Sequence, residues 1–363
     1  MPENEQSSQS EQPQMGYMCS YVPVEILSAA GFVPYRLTGD TKPISEAYSY
    51  LPTTCCSFQR SILERALRKE FDFLAGVIIP QTCDLLRESF DIWKSHTDLP
   101  FYHRLAVPLR TDTPAAIEFY NAELQKLATG LTRIGGREVD TADLQQAIVL
   151  HNRRRALLQE LGKTRSSVSQ GLNGRQMIEL FLQTSMMAPE EAIINLEKVL
   201  NNLPMHQDRS NRLRIMLIGT ELDNLDIISL IEEDSGMIVS DDLCYGSRGY
   251  NFQILVSEDP LTDLAKGYLG KINCPCKFPG ERRWEWIIQE AAQSKPDGVI
   301  FLLQKFCDTH HFEQPDLEAR LRDEGYPVMM LEIENQTSPE FLSTRVQAFL
   351  EMLAGERRGK SVE

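Results

Sequence analysis

Short uninterrupted apolar runs alternate along this chain with longer stretches in which apolar residues return every three or four positions. The first pattern reads as strands buried on both faces, the second as helices packed on a sheet. In the first half, strands are expected at 32–37, at 76–79 within AGVIIPQTCD, and at 102–109. In the second half they are expected at 213–219 (LRIMLIG), 237–240, 298–303 and 328–333. Helices are expected over 23–30, from about Phe58, directly after Cys83, and over 114–128, 259–269, 281–293, 316–323 and 339–353. From 141 to 202 nearly everything has helical period, with breaks at 162–174 and 188–189 and no strand candidate. Regular alternation of strand and helix specifies parallel sheets covered by helices on both faces. The fold class is therefore α/β, with two doubly wound, Rossmann- or flavodoxin-like parallel-sheet domains and a helical connector. The expected division is a disordered polar tail over 1–14, an N-terminal α/β cluster-binding domain over 15–140, the connector over 141–210 and a C-terminal α/β domain over 211–363.

The 363 residues carry a formal net charge of −15, which argues against a nucleic-acid or anionic-membrane partner. No apolar run approaches the ~18 residues that a bilayer span needs, and no signal peptide opens the sequence. Eight cysteines without a secretory leader point to a reducing cytoplasm, where thiols serve metals or chemistry rather than disulfides. The basic clusters at 153–155 and 282–283 are expected to be solvated helix faces, and His310–His311 a solvated loop. Gly162–Lys163–Thr164 resembles the end of a phosphate-binding loop, but Leu157 stands where that motif needs glycine. No GxGxxG follows a strand and no CxxC occurs, so dinucleotide, zinc-ribbon and bacterial ferredoxin signatures are absent.

The cysteines add the chemistry. Cys307 stands just beyond the central strand 298–303, and Cys83 repeats that placement in the first half. In open α/β sheets, ligands bind beyond the carboxyl ends of strands. The two cysteines thus suggest one thiolate-lined site between two similar units; the alternative is that both are small buried hydrophobes. Cys19, Cys55–Cys56 and Cys83 all precede helices, whose positive ends are expected to favour thiolate over thiol. Cys244 follows the strand 237–240 and so shares the edge of Cys307. Cys274 and Cys276 follow a helix, which places them at the opposite edge, about 17–20 Å away, unless their loop folds back across the sheet. Both could face one site only with a turn between them, which Pro275 could supply.

Several blocks, in order, resemble the 2-hydroxyacyl-CoA dehydratase and benzoyl-CoA reductase family of iron–sulfur proteins. They are CSYVPVEILSAAG at 19–31, Cys56 with Arg60–Ser61, QTCDLLRESFDIWK around Cys83, KFCDTHHFEQPDL around Cys307 and the closing TRVQAFLEML at 344–353. The resemblance implies that Cys19, Cys56, Cys83 and Cys307 are metal ligands holding a [4Fe–4S] cluster. It also implies a (R)-2-hydroxyacyl-CoA dehydratase or benzoyl-CoA reductase-type enzyme that uses a low-potential electron for ketyl-radical chemistry on an acyl-CoA. The expected partners are an ATP-hydrolysing iron–sulfur activator protein and a related sister subunit or a second copy of the chain. Three departures stand beside it: a doubled cysteine that leaves Cys55 as a rival to Cys56, a short polar leader, and the additional thiols Cys244, Cys274 and Cys276. One alternative is a stand-alone [8Fe–9S] double-cubane reductase of small molecules; the expected distance of Cys274 and Cys276 favours the single cluster, with those two structural. An alternative of another class is a non-catalytic scaffold whose cysteines are structural or bind zinc.

Overall fold

The computed structural model describes residues 12–360 apart from 136, 206, 207, 234 and 335. All but the last three residues of the expected polar tail therefore lie outside the described residues. The first α/β unit runs β1 (Gln14–Tyr17), α1 (Val24–Ala29), β2 (Val33–Arg36), α2 (Ser57–Leu67), β3 (Gly76–Gln81), α3 (Asp84–His96), β4 (Tyr102–Ala106) and α4 (Pro114–Gly135). Three helices follow, α5 (Thr141–Lys163), α6 (Gly174–Thr184) and α7 (Pro189–Asn201). The second unit contains β5 (Leu213–Gly219), α8 (Asp226–Glu233), β6 (Gly236–Asp242), α9 (Ser247–Tyr250), α10 (Pro260–Gly270) and α11 (Glu281–Ser294). It closes with β7 (Gly298–Gln304), α12 (Asp308–Asp323), β8 (Val328–Ile333) and α13 (Pro339–Lys360).

The strand order is β2-β1-β3-β4 in one sheet and β6-β5-β7-β8 in the other. Every pairing is parallel, as the α/β reading requires. β7 is buried along its whole length, so it carries no polar alternation. β1 escapes sequence reading because its four residues follow a polar tail and are too few to set a period. Gly219 closes β5 against β7: a Cβ there would press on the Leu302 carbonyl oxygen.

Beyond β6 the chain leaves the second sheet. Ile254, Leu264, Ala265, Tyr268 and Leu269 are buried in one cluster with Tyr21, Ile26, Leu124 and Leu127. α10 thus packs on the helices of the first unit before α11 returns the chain to the second. Phe278 is stitched to the loop after β4, donating to the Leu109 carbonyl and accepting from Thr111 N–H, each at 2.9 Å.

The basic clusters are solvated only in part: Arg153 and Arg282 are exposed, whereas Arg154, Arg155 and Arg283 are buried, since successive helix positions turn by about 100° and face different surroundings. Arg155 and Arg283 are ion-paired as buried cations require, whereas Arg154 is held by hydroxyls. Arg155 pairs with Glu25, whose other oxygen accepts from Tyr268 Oη at 2.8 Å. Arg154 Nη2 donates to Ser185 Oγ at 2.8 Å, and Arg283 grips Asp242 Oδ2 through Nε at 2.9 Å and Nη2 at 2.5 Å.

Candidate metal centre

In each sheet the order reverses between the first strand and the strand two later, β1 and β3 or β5 and β7. Loops leaving neighbouring strands in opposite directions open a crevice there. The two crevices face each other, and cysteines occupy both. Cys19 follows β1. Cys56, Cys83 and Cys307 are the residues immediately before α2, α3 and α12, in the N-cap position. One cavity is lined by Cys19, Cys83, Cys244, Cys274, Cys276 and Cys307. Cys56 lies beside it, with Cys307 and Cys83 as electrostatic neighbours, so the six lining thiols and Cys56 bring seven of the eight together. Cys55 instead neighbours Arg60 and Glu88. Of the doubled pair, Cys56 is therefore the one at the site. Cys19 (φ 65°) and Phe306 (φ 64°) hold the left-handed backbone that non-glycine residues seldom adopt. Strain of this kind concentrates at functional sites.

Cys274 and Cys276 are not at the far edge. Because α10 packs on the first unit, the chain emerges beside Cys19 rather than at the amino edge of the second sheet. Lys277 N–H donates to the Cys274 carbonyl at 2.9 Å, the turn through Pro275 that lets both cysteines face the cavity. The loop is held from three sides. Cys274 N–H donates to Tyr21 Oη at 3.3 Å. Lys271 Nζ reaches the Ser20 carbonyl at 2.8 Å and the Arg248 carbonyl at 3.3 Å. Lys277 Nζ reaches the Val107 carbonyl at 3.1 Å. The lysines bracketing CPC were the available sequence signal, and they are buried pins rather than surface charge.

Helix placement does not make the thiols acidic. Burial outweighs the helix N–H groups and pushes Cys307 up to about 12, with Glu221 adding to it. Cys56, Cys83 and Cys244 move in the same direction, burial again leading. Cys274 is the exception, lowered to about 6 chiefly because the Cys276 thiol donates to it, while Cys276 is raised for the same reason. The pair shares one proton. Any metal drawing on these sulfurs must displace the others' protons, which ties binding to proton release. His310 lies on α12, not in a solvated loop. It is buried, and its Nε2 accepts from Arg248 Nη1 at 3.2 Å, which leaves the ring proton on Nδ1. Burial, with Arg248 second, holds its pKa well below the usual range.

Among the described residues, no three His, Cys, Asp or Glu side chains are already gathered around a single metal-ion position. The donor set is nevertheless soft sulfur, the set that selects iron–sulfur clusters, zinc or copper(I), and a polynuclear cluster spreads its ligands farther apart than one ion does. The residues present fit such a cluster. The inner cavity measures about 70 Å³. Past Thr82, Cys83, Cys276 and Thr309 it meets an outer pocket of about 620 Å³. Leu109, Pro275, Phe278, Trp284 and Phe312 form apolar walls there, with Asp84, Glu281, Glu313 and Asp316 among them. No described helix is long and apolar enough to cross a membrane.

The family model described as 2-hydroxyglutaryl-CoA dehydratase, D-component, matches residues 19–353, beginning at the first cavity cysteine. The (R)-phenyllactyl-CoA dehydratase beta subunit of Clostridium sporogenes is 25% identical over 347 residues, covering 95% of this chain and 93% of that protein. The lactoyl-CoA dehydratase subunit beta of Anaerotignum propionicum is 26% identical over 345 residues, covering 93% and 91%. A benzoyl-CoA reductase subunit of Thauera aromatica is 26% identical over 322 residues, covering 86% and 83%. Matched from Cys19 through the Cys307 loop to the closing helix, the chain belongs to the 2-hydroxyglutaryl-CoA dehydratase D-component family.

Proposed function

We propose that this chain is the iron–sulfur subunit of an enzyme that acts on a CoA thioester, a (R)-2-hydroxyacyl-CoA dehydratase or a benzoyl-CoA reductase-type enzyme, and that it works beside a sister subunit. The observation that carries the reading is the convergence of Cys19, Cys83, Cys244, Cys274, Cys276 and Cys307 on one cavity, with Cys56 beside it. Cys19, Cys56, Cys83 and Cys307 are the proposed primary ligands. A cluster held by them supplies single electrons of low potential. The chain's own residues do the rest. The outer pocket's apolar walls flank the approach to the thiols, and Cys83 and Cys276 form its floor toward the cavity. Glu281 and Asp316 disfavour phosphates at close range, so the pocket suits the acyl end of a thioester and leaves the nucleotide end outside. The phosphate-loop look-alike Gly162–Lys163–Thr164 lies at the C-terminal end of α5, where carbonyls rather than N–H groups point outward. It offers no phosphate cradle, which supports assigning ATP hydrolysis to a separate activator.

A second reading draws on Cys244, Cys274 and Cys276. Their presence in the same cavity removes the distance that argued for a single cubane, and seven thiols exceed the four that one cubane needs. A double-cubane [8Fe–9S] cluster is the form this geometry favours. Anaerobic purification with iron and sulfide analysis tests both readings. Brown protein with about four or about eight irons per chain is expected; a colourless chain with freely titratable thiols after iron–sulfide reconstitution would leave only the cysteine-rich scaffold.

A further inference from the structure

The cavity's thiols are not electrostatically alike. Thr82 Oγ1 stands 3.6 Å from Cys19 Sγ, and Thr309 Oγ1 stands 3.8 Å from Cys307 Sγ. The polar side chain against each of those sulfurs is a neutral hydroxyl, with the charges of Glu221 near Cys307 and Lys271 near Cys19 not hydrogen-bonded to them. Cys244 meets a guanidinium, with Arg248 Nη2 donating to its Sγ at 3.3 Å. Among the described residues lining the cavity, Arg248 is the one permanent cation.

Its position is fixed from several directions. Arg248 is 2% exposed. Nη2 also donates to the Gly219 carbonyl, where β5 ends at the switch point. Nη1 donates to His310 on α12, and Nε faces Asp242 Oδ1 at 3.5 Å. Asp242 would offset the charge if it belonged to Arg248 alone. Asp242 is shared with Arg283, which holds its other oxygen at 2.5–2.9 Å and also pairs with Glu313. Glu221 lines the same cavity, but the charged donor that reaches a cavity sulfur is Arg248 Nη2, at Cys244.

Hydrogen bonds to cluster sulfurs and local positive charge both favour the reduced, more negative state, and a charge-assisted donor acts more strongly than a hydroxyl. We propose that Arg248 is a positioning residue that raises the reduction potential of the group bound by these thiols, acting through Cys244. The inference rests on the double-cubane reading above, in which Cys244 joins the ligands, and goes beyond it by naming a residue that tunes the potential.

The test compares the full-length chain with Arg248→Gln and Arg248→Lys, each reconstituted anaerobically with iron and sulfide. Iron content is measured, and midpoint potential is followed by electron paramagnetic resonance during titration with titanium(III) citrate. Arg248→Gln should retain iron and shift the potential to more negative values. Arg248→Lys should shift it less, because it keeps the charge while losing the planar fork. Iron-loaded variants with an unchanged potential would overturn the proposal. So would loss of iron from both, which would leave Arg248 a purely structural role. A wild-type chain that takes up no iron would instead overturn the cluster reading itself, so the two failures are distinguishable.

Discussion

The Ser57 hydroxyl donates to the Gln304 side-chain oxygen at 2.7 Å, joining residues 247 positions apart. Ser57 opens α2 directly after Cys56, and Gln304 ends β7 three residues before Cys307. Gln304 N–H in turn donates to Thr220 Oγ1 at 3.1 Å, and its side-chain amide donates to the Glu221 carbonyl at 3.2 Å. One buried amide thus locks a cysteine loop of the first unit to two loops of the second.

Removing that lock should loosen the site. Ser57→Ala leaves part of a buried amide unsatisfied, which costs about 1–3 kcal/mol. Urea unfolding should show the loss, and iron should dissociate faster under chelator than from the parent. An unchanged midpoint and unchanged chelator kinetics would mean that the bond contributes nothing to either.

The doubled cysteine should separate cleanly. Cys56→Ser is expected to lower iron content and the visible absorption of the reconstituted chain, whereas Cys55→Ser leaves both near the parent value. Cys55 has the Arg60 side and partial exposure, not the cavity. Equal losses from the two variants would contradict this assignment.

Cys274→Ser and Cys276→Ser decide the size of the cluster. Under the double-cubane reading, either substitution reduces iron from about eight per chain toward about four. About four irons in the parent, unmoved by both changes, would return the pair to a structural role.

Acid should destabilise the fold through buried neutral histidines. Burial, the leading cause, lowers His151 to about 3 and His103 to about 4. Below the unfolded value of about 6.5 the unfolded chain binds protons that the folded chain refuses, so stability falls as pH falls. Asp223, raised to about 8 by burial and then Glu221, acts in the opposite direction over the same window. A single-site comparison therefore isolates the effect. His151→Gln should make the fall in stability between pH 6.5 and 5 shallower, by up to about 1.4 kcal/mol per pH unit. Parallel pH profiles of urea midpoints for parent and variant would contradict it.

Gly219→Ala tests the switch point itself. The new Cβ would press on the Leu302 carbonyl oxygen, a backbone atom that cannot step aside. β5 and β7 would have to separate, at a cost of about 3 kcal/mol, and the carbonyl that receives Arg248 would move with them. Thermal unfolding reads the loss directly; a parent-like Tm would show that the sheet can relax there.

What was legible in the chain was local. Near-continuous apolar runs marked β3, β5 and β7 because a strand buried on both faces needs such a stretch; β2 and β4 are only partly buried and carry polar residues, and β1 was too short to register. Cys83 and Cys307 could be placed at one edge because a residue just past a parallel strand must lie at its carboxyl end. The path of the chain between β6 and β7 was not local. Whether α10 covers the second sheet or the first depends on which apolar surface its Leu264, Ala265 and Tyr268 meet, and they meet that of α1 and α4. That choice, made by packing across more than a hundred residues, carries Cys274 and Cys276 into the cavity. The same kind of choice buries Arg155 and Arg283 and turns Arg248 toward Cys244. Charge by itself marks a residue for water; only a partner brought from elsewhere in the chain lets it be buried.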